Sequence, residues 1–85
     1  MITKIFSIHD AKANAYLQPF FSATSGTAER AFASELASPD SQFAKFPEDF
    51  TLFEIGSFDD QTGSMDKLAT PHPVCKAINL VKPQN

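Results

Sequence analysis

The chain has one cysteine, three glycines and no tryptophan among its 85 residues. Lone Cys75 excludes an intrachain disulfide and fits a reducing compartment, the cytosol by default. Gly26, Gly56 and Gly63 form neither Gly-x-Gly nor Gly-Lys-Ser/Thr, so no phosphate-cradling loop is written here. A Gly-x-Ser-x-Gly elbow, which would raise a nucleophilic serine, is also missing. His9 and His72 lie far apart with a single cysteine near the second, a spacing that matches no zinc pattern. No apolar run approaches the ~20 residues that cross a bilayer. Residues 1–8 are too short and too interrupted for a secretory core. These absences argue against an enzyme, a cofactor, a metal site and a membrane segment.

What remains is one small domain over residues 1–85, with 83–85 as a frayed tail. A chain of this length buries roughly 60–65% of its unfolded surface, which leaves stability marginal without reinforcement. Disulfides and metals have no signal, so self-association into a homo-oligomer is the reinforcement left open. Nine phenylalanines point the same way, since some stay exposed until a partner covers them.

The net charge of −3 argues against a generic polyanion binder. Its distribution is uneven. Residues 1–28 are net +1, residues 29–66 net −7, and residues 67–85 net +3 through Lys67, Lys76 and Lys82. If the termini meet in space, one surface is basic and the central segment is acidic; otherwise the charges are ordinary solvated faces.

The organising stretch is Pro47 to Ser64, a proline-acidic turn followed by β-branched and aromatic residues that close on Asp59-Asp60-Gln61-Thr62-Gly63. Gly63 supplies the positive φ that such a hairpin loop needs. Strict alternation puts Thr51, Phe53, Ile55 and Ser57 on one face and Phe50, Leu52, Glu54, Gly56 and Phe58 on the other. Both faces carry large apolar groups, so the strand reads as central and covered at least partly on both sides. Ser64 to Ala69 is the returning strand, with Met65 and Lys67 facing opposite to Asp66 and Leu68. Residues 2–8 form a first strand able to join the hairpin, Ile2, Lys4, Phe6 and Ile8 sharing one side.

Residues 11–18 fit either one or two helical turns capped by Asp10 or an extended segment, and Pro19 ends any helix there. Thr27 is the expected N-cap of a helix over 28–37, with Phe32 and Leu36 toward the sheet. The final stretch, 71–82, groups Val74, Ala77, Ile78 and Val81 at helical spacing but Val74, Lys76, Ile78 and Leu80 at strand spacing. Pro73 suits a first helical turn, which favours a short helix. The expected fold is α+β: an antiparallel sheet of the N-terminal strand and central hairpin, packed on one main helix and a short C-terminal one.

Asp59, Asp60 and Asp66 flank the hairpin turn without the spacing of a calcium loop, and acidic residues are common at turns. His9-Asp10 are neighbours that rarely face each other. His72 and Cys75 are interrupted by Pro73, so Cys75 reads as a small core residue. Lys12, Tyr16, Phe20, Phe21 and Arg30 combine rings that stack on bases with cations that meet phosphates. The alternative is that Phe20 and Phe21 are core and Tyr16 rims it.

The order of the pieces carries a further signal. Lys4-Ile5-Phe6-Ser7-Ile8-His9-Asp10-Ala11-Lys12, Ala15-Tyr16-Leu17-Gln18-Pro19-Phe20-Phe21, Arg30-Ala31-Phe32 and the run from Phe46 to Asp59 closely resemble the small nonstructural protein of gokushovirus-type microviruses, the single-stranded DNA phages. The likeness covers about residues 4–64. It implies a DNA-binding protein of the host cytoplasm, linked to replication of the viral genome or its packaging, with no enzymatic activity.

Two readings follow. In the first, a homo-oligomer binds single-stranded DNA without sequence preference, Lys4, Lys12 and Arg30 meeting phosphates while Tyr16, Phe20 or Phe21 stack on bases. In the second, the acidic hairpin docks on a phage replication or capsid protein and the phenylalanines anchor that interface.

Overall fold

The structure is a computed structural model that describes residues 1–81. The expected tail at 83–85 and Lys82 lie outside the described residues. The fold is α+β, as the sequence pattern indicates.

β1 (Ile2–Asp10) lies at the centre of the sheet, paired antiparallel on one side with β4 (Phe50–Asp59), which in turn pairs with β5 (Ser64–Lys76). On its other side β1 carries two short strands, β2 (Ala15–Tyr16) and β3 (Phe20–Ser22). These are one edge strand interrupted at Gln18-Pro19, because proline cannot donate to the ladder. The Leu17 amide still reaches the Ile8 carbonyl at 2.8 Å.

Residues 11–18, ambiguous in sequence, therefore form a turn and the first part of a broken strand rather than a helix. Asp10 does act as a local cap: its carboxylate accepts from the Lys12 amide at 3.0 Å and from that of Ala13. Asn14 then turns the chain at φ 53°, a left-handed conformation that asparagine tolerates.

α1 (Ser25–Leu36) starts three residues earlier than its alanine pattern indicates. Thr24, not Thr27, is the N-cap, and its hydroxyl accepts from the Thr27 amide at 3.1 Å. Thr27 reciprocates by accepting from the Thr24 amide at 3.1 Å. Ser/Thr at both ends of such a box satisfies two otherwise orphaned donors. α2 (Gln42–Lys45) is a single turn, followed by a 3-10 turn at Pro47–Asp49.

The helices cover one face of the sheet. Phe6, Ile8, Phe50 and Leu52 meet Ala28, Phe32 and Ala77 in the core, with Phe20, Leu36, Phe43, Val74 and Cys75 packed around them. Phe43 bridges helix and sheet, edge-on to both Phe32 and Phe50 at 5.3 and 4.9 Å.

The C-terminal stretch corrects the helical expectation in part. Strand β5 runs through Pro71 and Pro73 to Lys76, and only Ala77–Asn79 curl, as a 3-10 turn. Strand spacing wins because β5 is an edge strand, where proline's missing N–H is tolerated. Pairing of Leu52 with Cys75 and Thr51 with Lys76 sends the cysteine to the core and the lysine outward.

α1 is ~18 Å long at 1.5 Å per residue, whereas the thirteen residues of β5 span ~43 Å, comparable to the 48 Å long axis of the molecule. One helix cannot cover such a sheet. Among the described residues the other face has no helix on it.

Candidate nucleic-acid interface

Residues paired across antiparallel strands project from the same side of the sheet. That rule assigns the uncovered face. Tyr16, His9, Thr51 and Lys76 form one row across it, Ser7 and Phe53 the next, then Phe21, Ile5, Gly56 and Lys67, and finally Thr3, Phe58 and Met65.

Simple alternation does not produce this face. Phe6 pairs with Glu54 while Ile5 pairs with Gly56, so Ile55 is an extra residue in β4. Such a bulge reverses the facing of everything beyond it. Phe58, which alternation groups with Phe50 and Leu52, thereby joins Phe53 on the open face. Ser57 and Asp59 turn to the helix side, as does Asp66, the partner of Ser57.

Two aromatic groups result. At one end the Tyr16 ring lies 4.8 Å from His9 and 5.6 Å from Phe53. At the other, Phe21 lies 5.8 Å from Phe58 in an edge contact. Tyr16 and Phe21 are 46% and 55% exposed, so each pair offers a ring to solvent while its half-buried neighbour holds it. Between the groups lies a cavity of about 370 Å³ bordered by Ile5, Pro19, Ile55, Gly56, Met65, Asp66 and Lys67.

The bulge also sorts charge. Among the described residues, the paired positions of the open face include Lys67 and Lys76 and no aspartate or glutamate. Glu54, Asp59 and Asp66 all belong to the helix-side rows. Within the paired strands, the carboxylates of the acidic central segment thus lie on one side of the sheet only.

The six residues singled out from the sequence are divided by the fold. Tyr16 and Phe21 stand on the open face. Phe20 pairs with Phe6 and stacks on its ring at 5.9 Å, within the apolar layer under the helix. Lys4 is on the helix-side row, 3.6 Å from the Glu54 carboxylate. Lys12, in the turn after β1, borders a shallow pocket with Asp10 and Asp49. Arg30 is exposed two residues before buried Phe32, on the outer side of α1.

Sequence reasoning missed His9, Phe53, Phe58, Lys67 and Lys76 as members of one surface. Alternation alone finds Lys67 beside Met65. Placing Phe58 requires the bulge, and placing Lys76 requires β5 to run past two prolines.

Cys75 is not part of this face. Burial pushes its thiol up to about 11, helped by the charge of Glu29 and a hydrogen bond to it. Among the described residues no three His, Cys, Asp or Glu side chains converge as metal ligands, and no helix is long and apolar enough to cross a membrane.

Comparison with curated proteins and with solved structures returned no match. Residues 3–80 match the profile of a phage family described as Phage ORF5 protein, a span that leaves out only Ile2 of the strands and helices above. The chain belongs to the Phage ORF5 protein family.

Proposed function

We propose that this phage protein binds single-stranded DNA across the open face of its sheet, in the host cytoplasm, during genome replication or packaging. The supporting observation is the coincidence on one uncovered face of exposed rings with two lysines and no paired acidic residue. Rings stack on any base because every base has a π-face, and lysines meet the phosphates between them. Such recognition is tolerant of sequence. It needs no basic excess over the whole chain, because the Glu54, Asp59 and Asp66 carboxylates are on the other side of the sheet.

Two lysines give a weak phosphate contact for one protomer. Self-association multiplies it through effective concentration. This reading requires copies to associate through surfaces other than the open face. The open faces stay available to DNA.

The test is fluorescence anisotropy of a labelled oligothymidylate titrated with the protein and with Lys67→Gln/Lys76→Gln. The wild type is expected to bind at low salt and the double variant to bind at least tenfold more weakly. Equal binding by both would overturn the assignment of the face.

A second reading rests on the opposite rows. Glu54, Asp59 and Asp66 make the helix-side end of the hairpin acidic, a surface suited to a basic replication or capsid protein. It gains if the folded protein fails to bind the oligonucleotide at low salt but is retained on such a partner in a salt-sensitive way.

A further inference from the structure

The two aromatic groups are not one platform. Phe53 pairs with Ser7 and Phe58 with Thr3, four residues apart along β1. At ~3.3 Å per residue the groups stand ~13 Å from each other. The exposed rings repeat that spacing, Tyr16 pairing with His9 and Phe21 with Ile5, and beyond Phe21 the Ile5, Gly56 and Lys67 positions of its row carry no ring and border the cavity.

We infer that the face holds a single DNA strand at two separate stacking stations, Tyr16 with Phe53 and Phe21 with Phe58, with the intervening nucleotides over the cavity beside Lys67. This rests on the reading that the open face binds single-stranded DNA. Adjacent bases cannot fill both stations. At a stacked rise of ~3.4 Å per nucleotide the stations are about four steps apart, so a strand of about five nucleotides reaches both, and an extended strand reaches them with fewer. A duplex is excluded from this mode, because its bases are already stacked and paired and present no free π-face to the sheet.

Three features of the fold set the spacing. The interruption at Gln18-Pro19 separates Tyr16 from Phe21 along the edge. The Ile55 bulge brings Phe58 onto the face that Phe53 occupies. Gly56 then lets β5 approach so closely that a Cβ there would sit 2.5 Å from the Asp66 carbonyl oxygen, which fixes Lys67 beside the gap. Asp66 borders the same cavity, with its side chain directed by pairing to the helix side.

The experiment is a length series of labelled oligothymidylates, from two to ten nucleotides, titrated with the wild type, Tyr16→Ala and Phe21→Ala. Both rings are exposed, so neither variant removes a core side chain; circular dichroism checks that each is folded. Wild-type affinity is expected to step up between about two and five nucleotides and then rise only slowly. Each variant should bind a decamer about 5- to 150-fold more weakly, the range for losing one stacked base. The step with length should vanish in both. Phe21→Leu, which keeps apolar bulk without a ring, should resemble Phe21→Ala.

A wild type that binds the dinucleotide as tightly as the decamer overturns the two-station inference while leaving the open-face reading intact. So does a step with length that persists in either variant. Failure of every length to bind at low salt overturns the reading on which the inference rests.

Discussion

The Ser7 hydroxyl donates to the Leu17 carbonyl at 2.6 Å, and Ser7 is the one buried polar residue of the described chain. The bond occupies the point where the edge strand leaves its ladder with β1. Leu17 donates its own amide to Ile8, and its carbonyl is satisfied by a side chain instead of by backbone. Ser7→Ala leaves that part-buried oxygen without its partner; a fully buried unsatisfied acceptor costs about 1–3 kcal/mol, so the lower end of that range applies. A fall of that size in the urea unfolding free energy is expected; an unchanged midpoint would mean that water replaces the hydroxyl.

Gly56 and Gly63 are required for different reasons. Alanine at position 56 puts a methyl 2.5 Å from the backbone oxygen of Asp66 and 3.3 Å from the Lys67 Cα, and backbone cannot swing aside as a side-chain tip can. Gly56→Ala is expected to cost about 1–3 kcal/mol and to disturb the β4–β5 pairing. Gly63 has free space around it but a φ of 76°, so Gly63→Ala costs about 1–2 kcal/mol through left-handed strain alone. Amide exchange separates the two: Gly56→Ala should loosen β5 near Asp66 and Lys67, whereas Gly63→Ala should leave that ladder protected.

The capping box at the start of α1 gives a coupled pair. Thr24→Ala and Thr27→Ala each remove a hydroxyl that accepts from the other's amide. Each is expected to cost about 0.5–2 kcal/mol. Their effects should not add, because both belong to one hydrogen-bond network. Additive losses in thermal unfolding would show that the two hydroxyls act independently.

Cys75 links stability to alkaline pH. Its folded-state thiol is raised from an ordinary value of 9.0 to about 11, chiefly by burial and then by Glu29. Raised folded-state pKa means that the neutral thiol is favoured by folding. The contribution is complete below pH 9 and is lost as pH rises from there toward 11. Cys75→Ala should therefore flatten the decline of stability over that window, measured by chemical unfolding at several pH values. The same shift leaves little thiolate at neutral pH, so a thiol reagent should label folded Cys75 slowly.

Much of the scaffold was legible in the sequence because local rules and tertiary packing agree there. The alternation of Phe6 and Ile8, the Phe50–Leu52 pair, the φ-positive Gly63 turn and the Phe32–Leu36 stripe each point to one answer, and each is found. Disagreement begins where the ladder is irregular. Nothing local announces that Ile55 is an extra residue, since the strand reads equally well without it; the bulge is set by how β1 and β5 grip β4. Lys76 and β5 were obscured by Pro71 and Pro73, which speak against a central strand but not against an edge. The start of α1 was misplaced because Ser25 and Gly26 are poor helix formers, and a capping box overrides that local preference. For the candidate site, Tyr16 and Phe21 were visible as aromatic residues near cations. Their true neighbours, Phe53 and Phe58, come from a strand more than thirty positions away.

The central claim is that the open face, not the helix side, meets DNA. Its most direct test is the salt dependence of oligothymidylate binding for the wild type, Lys67→Gln/Lys76→Gln and Arg30→Gln. Two phosphate contacts give a slope of about −1.4 for log K against log salt, at ~0.7 per contact on single strands. The expected result is that slope for the wild type and Arg30→Gln, and a slope near zero for the double variant. Loss of slope in Arg30→Gln with the double variant unchanged would contradict the account and move the interface to the outer side of α1.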